Sequence, residues 1–120
     1  MKLKDLLKEG KKVNGVDLDD YAFDFQSYFA KKYKGKSILM WKLYVDSMTG
    51  TFYWSKSDSD VEVLATPYWE GEESLPVDIQ NTDTGDYVSQ TKYPLKFTGD
   101  MKKDEEAYIK VLRSVLSKIK

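Results

Sequence analysis

The chain has neither cysteine nor histidine. Thiolate nucleophiles, disulfides and thiolate metal sites are therefore excluded, as is the imidazole that most often serves as general base or metal ligand. Zinc enzymes and the usual Ser-His and Cys-His hydrolases go with them. Carboxylate, lysine and tyrosine chemistry remain. The densest such group is Tyr68-Trp69-Glu70-Gly71-Glu72-Glu73, two large aromatics running into three carboxylates just after Pro67. Glu70, Glu72, Glu73 and Asp78 could form an acid/base pair only if two of them face each other across a cleft, as glycoside hydrolysis demands. Their spacing sets no such separation. Exposed Trp and Tyr beside a rim of charge are, by contrast, common anchors for a protein partner.

The turn Asn81-Thr82-Asp83-Thr84-Gly85-Asp86 offers oxygen donors near a glycine, which raises the question of calcium. A helix-loop-helix calcium site needs glycine at position six and glutamate at twelve. Counted from Asn81, glycine falls at five and Lys92 at twelve. A Thr-Gly turn explains the stretch better. No phosphate-cradling glycine loop and no nucleophile elbow occurs. No metal or cofactor is expected, and the chain is read as a non-enzyme.

Charge is segregated along the chain. Residues 1–42 carry ten lysines against six acids, residues 43–100 three lysines against eleven acids, and residues 101–120 six basic against three acidic groups. An acidic middle repels nucleic acid and attracts a basic partner, although acidic loops also keep sheet edges from pairing. The run Lys31, Lys32, Lys34, Lys36 lies between aromatic segments, as in single-strand binders. Yet Arg113 is the sole arginine, the preferred reader of guanine and phosphate, and the pI is near 5.5. Nucleic acid is not the expected ligand.

These residues must be held by elements that the hydrophobic pattern outlines. The strongest is a hairpin over 37–56. Trp41, Leu43, Val45, Phe52 and Trp54 alternate onto one face, and Met40, Lys42, Tyr44 and Tyr53 onto the other. The first set is expected to be core. Between the arms, Asp46-Ser47-Met48-Thr49-Gly50 makes a short loop in which glycine supplies a positive φ. A helix over 17–34 presents Leu18, Tyr21, Ala22, Phe25, Tyr28 or Phe29, and Tyr33 at helical spacing, with Asp17 available as cap. A stripe of this kind packs on a sheet.

Shorter signals complete the outline. A small amphipathic helix is expected over 1–9, and a tight turn at Asn14-Gly15. Further strands are expected at 61–66, 76–80 and 87–93, the prolines marking edges or irregular connections. The C-terminal helix starts after Asp100, with Asp104, Glu105 and Glu106 in its first turns, where acids complement the dipole. Its stripe is Tyr108, Val111, Leu112, Val115, Leu116 and Ile119.

The expectation is one α+β domain spanning 1–120. An antiparallel sheet of about four to six strands carries the helix from the N-terminal half and the C-terminal helix on one face, as in an α/β roll. With no apolar run of about 18 residues and charge among the first residues, a cytoplasmic location and no membrane partner are expected. The expected function is a small protein-interaction, accessory or inhibitory module with a partner that is a protein, preferably basic. Its surface would comprise Tyr44, Tyr53, Tyr68, Trp69, Glu70, Glu72 and Glu73. The alternatives are a binder of small nucleotide-like ligands and, third, a carboxylate-dependent enzyme.

Overall fold

The computed structural model describes residues 12–13, 16–67 and 74–119. The expected helix over 1–9 and the segment Tyr68–Glu73 lie outside them. Two short strands, β1 (Lys12–Val13) and β2 (Val16–Asp17), pair antiparallel about the Asn-Gly step. Helix α1 (Leu18–Tyr33) follows. Then come β3 (Ser37–Ile38), β4 (Trp41–Val45), β5 (Phe52–Ser55), β6 (Val61–Leu64), β7 (Ser74–Asn81) and β8 (Tyr87–Pro94), and finally helix α2 (Met101–Leu116). Strands β3 to β8 form one antiparallel six-stranded sheet in sequence order. The class is α+β, with the helices on the sheet.

The cross-strand register separates the two faces of the sheet. Trp41, Phe52, Trp54, Val63, Ala65, Leu75 and Val77 fall on one face and are buried. Tyr21, Phe25 and Phe29 from α1 and Tyr108, Leu112 and Val115 from α2 complete that core. Phe29 meets the Tyr108 ring edge-on at 4.9 Å and stacks on Tyr33 at 4.3 Å, so aromatic packing joins both helices to the strands. Tyr108 is fully buried because its hydroxyl is satisfied. It accepts from Trp54 Nε1 at 3.1 Å and donates to the Ala65 carbonyl.

Two hairpin loops share one design. In Asp46–Gly50 and in Asn81–Gly85, the first side chain accepts from the backbone N–H groups two and three residues on. A threonine then precedes a glycine at φ of +75° or +78°, a conformation that side chains with a Cβ resist. Asn81 is thus spent on its own turn, as the Thr-Gly reading expects.

Three details differ from the sequence expectation. The first arm of the hairpin is not continuous, since Leu39 and Met40 form a two-residue turn at φ of 50° and 73°. Such a turn normally takes Asn-Gly, and each ordinary residue in it costs about 1–2 kcal/mol. The turn lets Ile38 and Trp41 face each other, both buried, which offsets that cost. Met40 therefore sits at the tip and not on a strand face. Val45, expected in the core, is 38% exposed at the end of β4, and Leu43 is only half-buried. Finally, Pro76 lies within β7, but β6 pairs only as far as Asp78, so the proline occupies a stretch with one neighbour.

Candidate functional site

The face of the sheet opposite the helices carries a row set by direct cross-strand pairing. Tyr44 opposes Tyr53, Tyr53 opposes Leu64, Leu64 opposes Asp78, and Asp78 opposes Gln90. Tyr44 is 68% exposed, while Tyr53, Leu64 and Asp78 are half-buried by one another. The next row is Lys42, Ser55, Glu62, Gln80 and Tyr87, also open to solvent in part or in full. Residues directly opposite in an antiparallel pair have Cβ atoms about 5 Å apart, so Tyr44, Tyr53 and Leu64 make one continuous apolar strip ending in a carboxylate.

Two acidic loops border this face at one end. The β5–β6 loop holds Asp58 and Asp60, and the β7–β8 loop holds Asp83 and Asp86. The loops are tied together, because the Asp60 carbonyl accepts from Thr82 N at 2.9 Å and from Thr82 Oγ1 at 3.0 Å. Lys56 lies 3.7 Å from Asp58 and neutralises one of the four charges. At the other end, Pro67 and Ser74 flank the segment Tyr68–Glu73. Of the sequence-expected surface, Tyr44 and Tyr53 are therefore side by side. Tyr68, Trp69, Glu70, Glu72 and Glu73 lie outside the described residues. Leu64 belongs with the tyrosines, because it pairs with Tyr53 and alternates with the buried Val63.

Two buried carboxylates form a second polar site, and Asp104 and Glu105 are the buried acids among the described residues. Both were expected only as charges in the first turns of the helix. Asp104 instead accepts from Tyr21 OH, from Thr98 N and Oγ1 at 2.9 Å each, and from Gly99 N at 3.2 Å. Glu105 accepts from Tyr28 OH at 2.6 Å, Lys32 Nζ at 2.9 Å and Tyr33 OH at 3.0 Å. Burial alone would raise the Glu105 pKa, but the bonds from Tyr28, Lys32 and Tyr33 outweigh it and hold the group below its ordinary 4.5. Burial and the Asp104 bond push the Tyr21 hydroxyl well above its ordinary value.

This arrangement is a latch between α1 and α2. Every carboxylate oxygen of the pair has a donor, which leaves none aimed at a substrate. A signal for it existed in the sequence, since hydroxyl-bearing aromatics recur along the buried stripe of α1 and need acceptors once covered.

A cleft of about 530 Å³ lies between the end of β8 and α2, lined by Tyr93, Pro94, Leu95, Lys96, Ala107, Lys110, Val111 and Ser114. Among the described residues, no helix is long and apolar enough to cross a membrane and no cluster of acids is arranged to hold a metal ion. No family model matches the chain, and the curated proteins and solved structures yield no match either.

Proposed function

We propose that the protein is a non-enzymatic interaction module that binds another protein through the sheet face opposite its helices. The observation that carries this reading is the Tyr44–Tyr53–Leu64 strip, apolar and at least partly accessible on a sheet whose other face supplies the core. Tyrosine suits such a role because it offers a large rigid contact area with a polar tip at little entropic cost. The acids bordering the strip, Glu62, Asp78, Asp60, Asp83 and Asp86, favour a partner that presents lysine or arginine around an apolar anchor.

The test is capture of the partner from the native host by wild-type protein and by a Tyr44→Ser/Tyr53→Ser double variant whose circular dichroism matches wild type. Loss of a basic protein from the variant's captured set supports the reading. Retention of the same proteins by both overturns it.

A second reading has one observation in its favour. The β8–α2 cleft has the volume of a small-ligand site and combines Tyr93 with Lys110, a ring and a cation of the kind that hold nucleotide-like molecules. A thermal-shift screen of nucleotides, repeated on Val111→Trp to fill the cleft, tests it. Stabilisation that disappears in the filled variant supports ligand binding there.

A further inference from the structure

Strand β4 lies near one edge of the sheet, and its Tyr44 belongs both to this edge and to the tyrosine face. Strand β3 is two residues long and pairs with Trp41 and Lys42, so among the described residues the last part of β4 has no strand neighbour on that side. The direction of the unpaired backbone groups follows from the bonds on the other side. Asp46 N donates to Thr51 O at 3.0 Å, and antiparallel partners alternate between bonded and non-bonded pairs. Tyr44 and Lys42 therefore exchange bonds with β5, while the N–H and C=O of Leu43 and Val45 point outward, those of Leu43 toward Lys36 and those of Val45 past the end of β3. The β5–β6 ladder gives the same phase, since Ala65 N donates to Phe52 O and leaves Tyr53 to face Tyr44.

Beside this edge lies a cleft of about 260 Å³ lined by Ala30, Lys34, Leu43, Tyr44 and Val45. An exposed edge next to an apolar cleft is uncommon, because natural sheets blunt their edges with charge, proline or cover. The charge at this cleft is positive. Lys34 is in its wall, and Lys31 and Lys36 are exposed close by on the end of α1 and the turn after it. Asp46, the next acid along β4, has its Oδ1 committed to Met48 N and Thr49 N.

We infer that the β4 edge accepts an extended, acidic peptide segment of another protein, which continues the sheet where β3 stops. Its backbone meets the outward N–H and C=O of Val45, an apolar side chain enters the cleft, and its carboxylates face Lys34 and the neighbouring lysines. The sign of the partner's charge is opposite to that expected at the tyrosine face, so the two sites select different segments.

The probe is a blocked seven-residue peptide of alternating valine and glutamate, with a version carrying lysine for glutamate as comparison. Amide exchange is followed by NMR on the full chain. The expected result is that the Val45 amide exchanges faster than the Leu43 amide in the free protein and that both become more protected when the glutamate peptide binds. Val45→Pro removes an outward donor without touching the β5 ladder, and it should weaken binding about tenfold or more, as should Lys34→Glu. Tyr53→Ser should leave this binding unchanged, so failure here is distinguishable from failure at the tyrosine face. The inference is overturned if the lysine peptide binds equally well or if Val45→Pro has no effect. It is also overturned if both amides are already protected without peptide. Protection that grows with protein concentration would assign the edge to a second copy of the chain, and protection independent of concentration to the chain itself.

Discussion

The two faces of the sheet are built from the same kinds of residue and end in opposite conditions. One face holds Trp41, Phe52 and Trp54 at full burial, the other Tyr44, Tyr53 and Leu64 with solvent access. They alternate along the same strands, so backbone conformation cannot be what distinguishes them. The difference is what lies opposite. The first face meets two helices whose own stripes are aromatic, and the Tyr21 and Tyr108 hydroxyls and the Trp54 indole brought into that core each have a partner. The second meets no described helix and carries tyrosines whose polar tips can remain wet. Aromatic content alone therefore marks neither core nor site.

The comparison breaks first if the covered face can be emptied without cost. Trp54→Ala should destabilise the protein by about 3–5 kcal/mol, because it removes a fully buried ring and leaves the Tyr108 hydroxyl without its donor. Tyr44→Ala on the open face should change stability by no more than about 0.5 kcal/mol. Chemical denaturation of the two variants side by side measures the contrast.

The helix latch should come next. Asp104→Ala strands the Tyr21 hydroxyl and the Thr98 and Gly99 N–H groups in a buried place and should cost about 3 kcal/mol. Its neighbour gives the latch a pH signature. The folded pKa of Glu105 lies below its ordinary 4.5, so the unfolded chain takes up the proton first. The stabilisation is present above about pH 4.5 and is lost as pH falls through the folded value. Glu105→Gln should flatten that acid limb. Tyr21 acts in the opposite sense: its raised pKa contributes stability below its ordinary 10.0 that is lost as pH rises beyond it. Denaturation midpoints across pH for wild type, Glu105→Gln and Tyr21→Phe check both signs.

A further effect, smaller than that of the latch, should be a gain. Leu39→Asn with Met40→Gly puts the preferred residues into a turn that now holds two ordinary ones at positive φ, and should stabilise the fold by about 1–2 kcal/mol. A fall in melting temperature would show that Leu39 or Met40 contributes packing beyond the turn.

Much of this fold was legible because its signals are periodic. The stripe of α2, its Asp100 cap and the alternation of β5 and β6 all follow from spacing, and the cap accepts from Lys102 N and Lys103 N as such residues do. The Leu39–Met40 turn was illegible for a physical reason, since its residues resist the conformation that burial of Ile38 and Trp41 imposes. Val45 was misplaced because alternation fixes a face but not how far the opposite helix reaches. The buried acids were misread because a carboxylate at a helix start satisfies the dipole equally well in water. Of the surface, pairing of Tyr44 with Tyr53 was legible from the hairpin, whereas the open β4 edge depends on the length of β3, which the unrecognised turn sets.

The most direct test of the open face is site-specific photo-crosslinking in the native host. A benzophenone amino acid replaces Tyr53 in one variant and Lys110, exposed on α2 beside the β8–α2 cleft, in another. The account predicts a discrete adduct with a basic protein from position 53 and none with that protein from position 110. The same adduct from both positions, or adducts only from position 110, would contradict it.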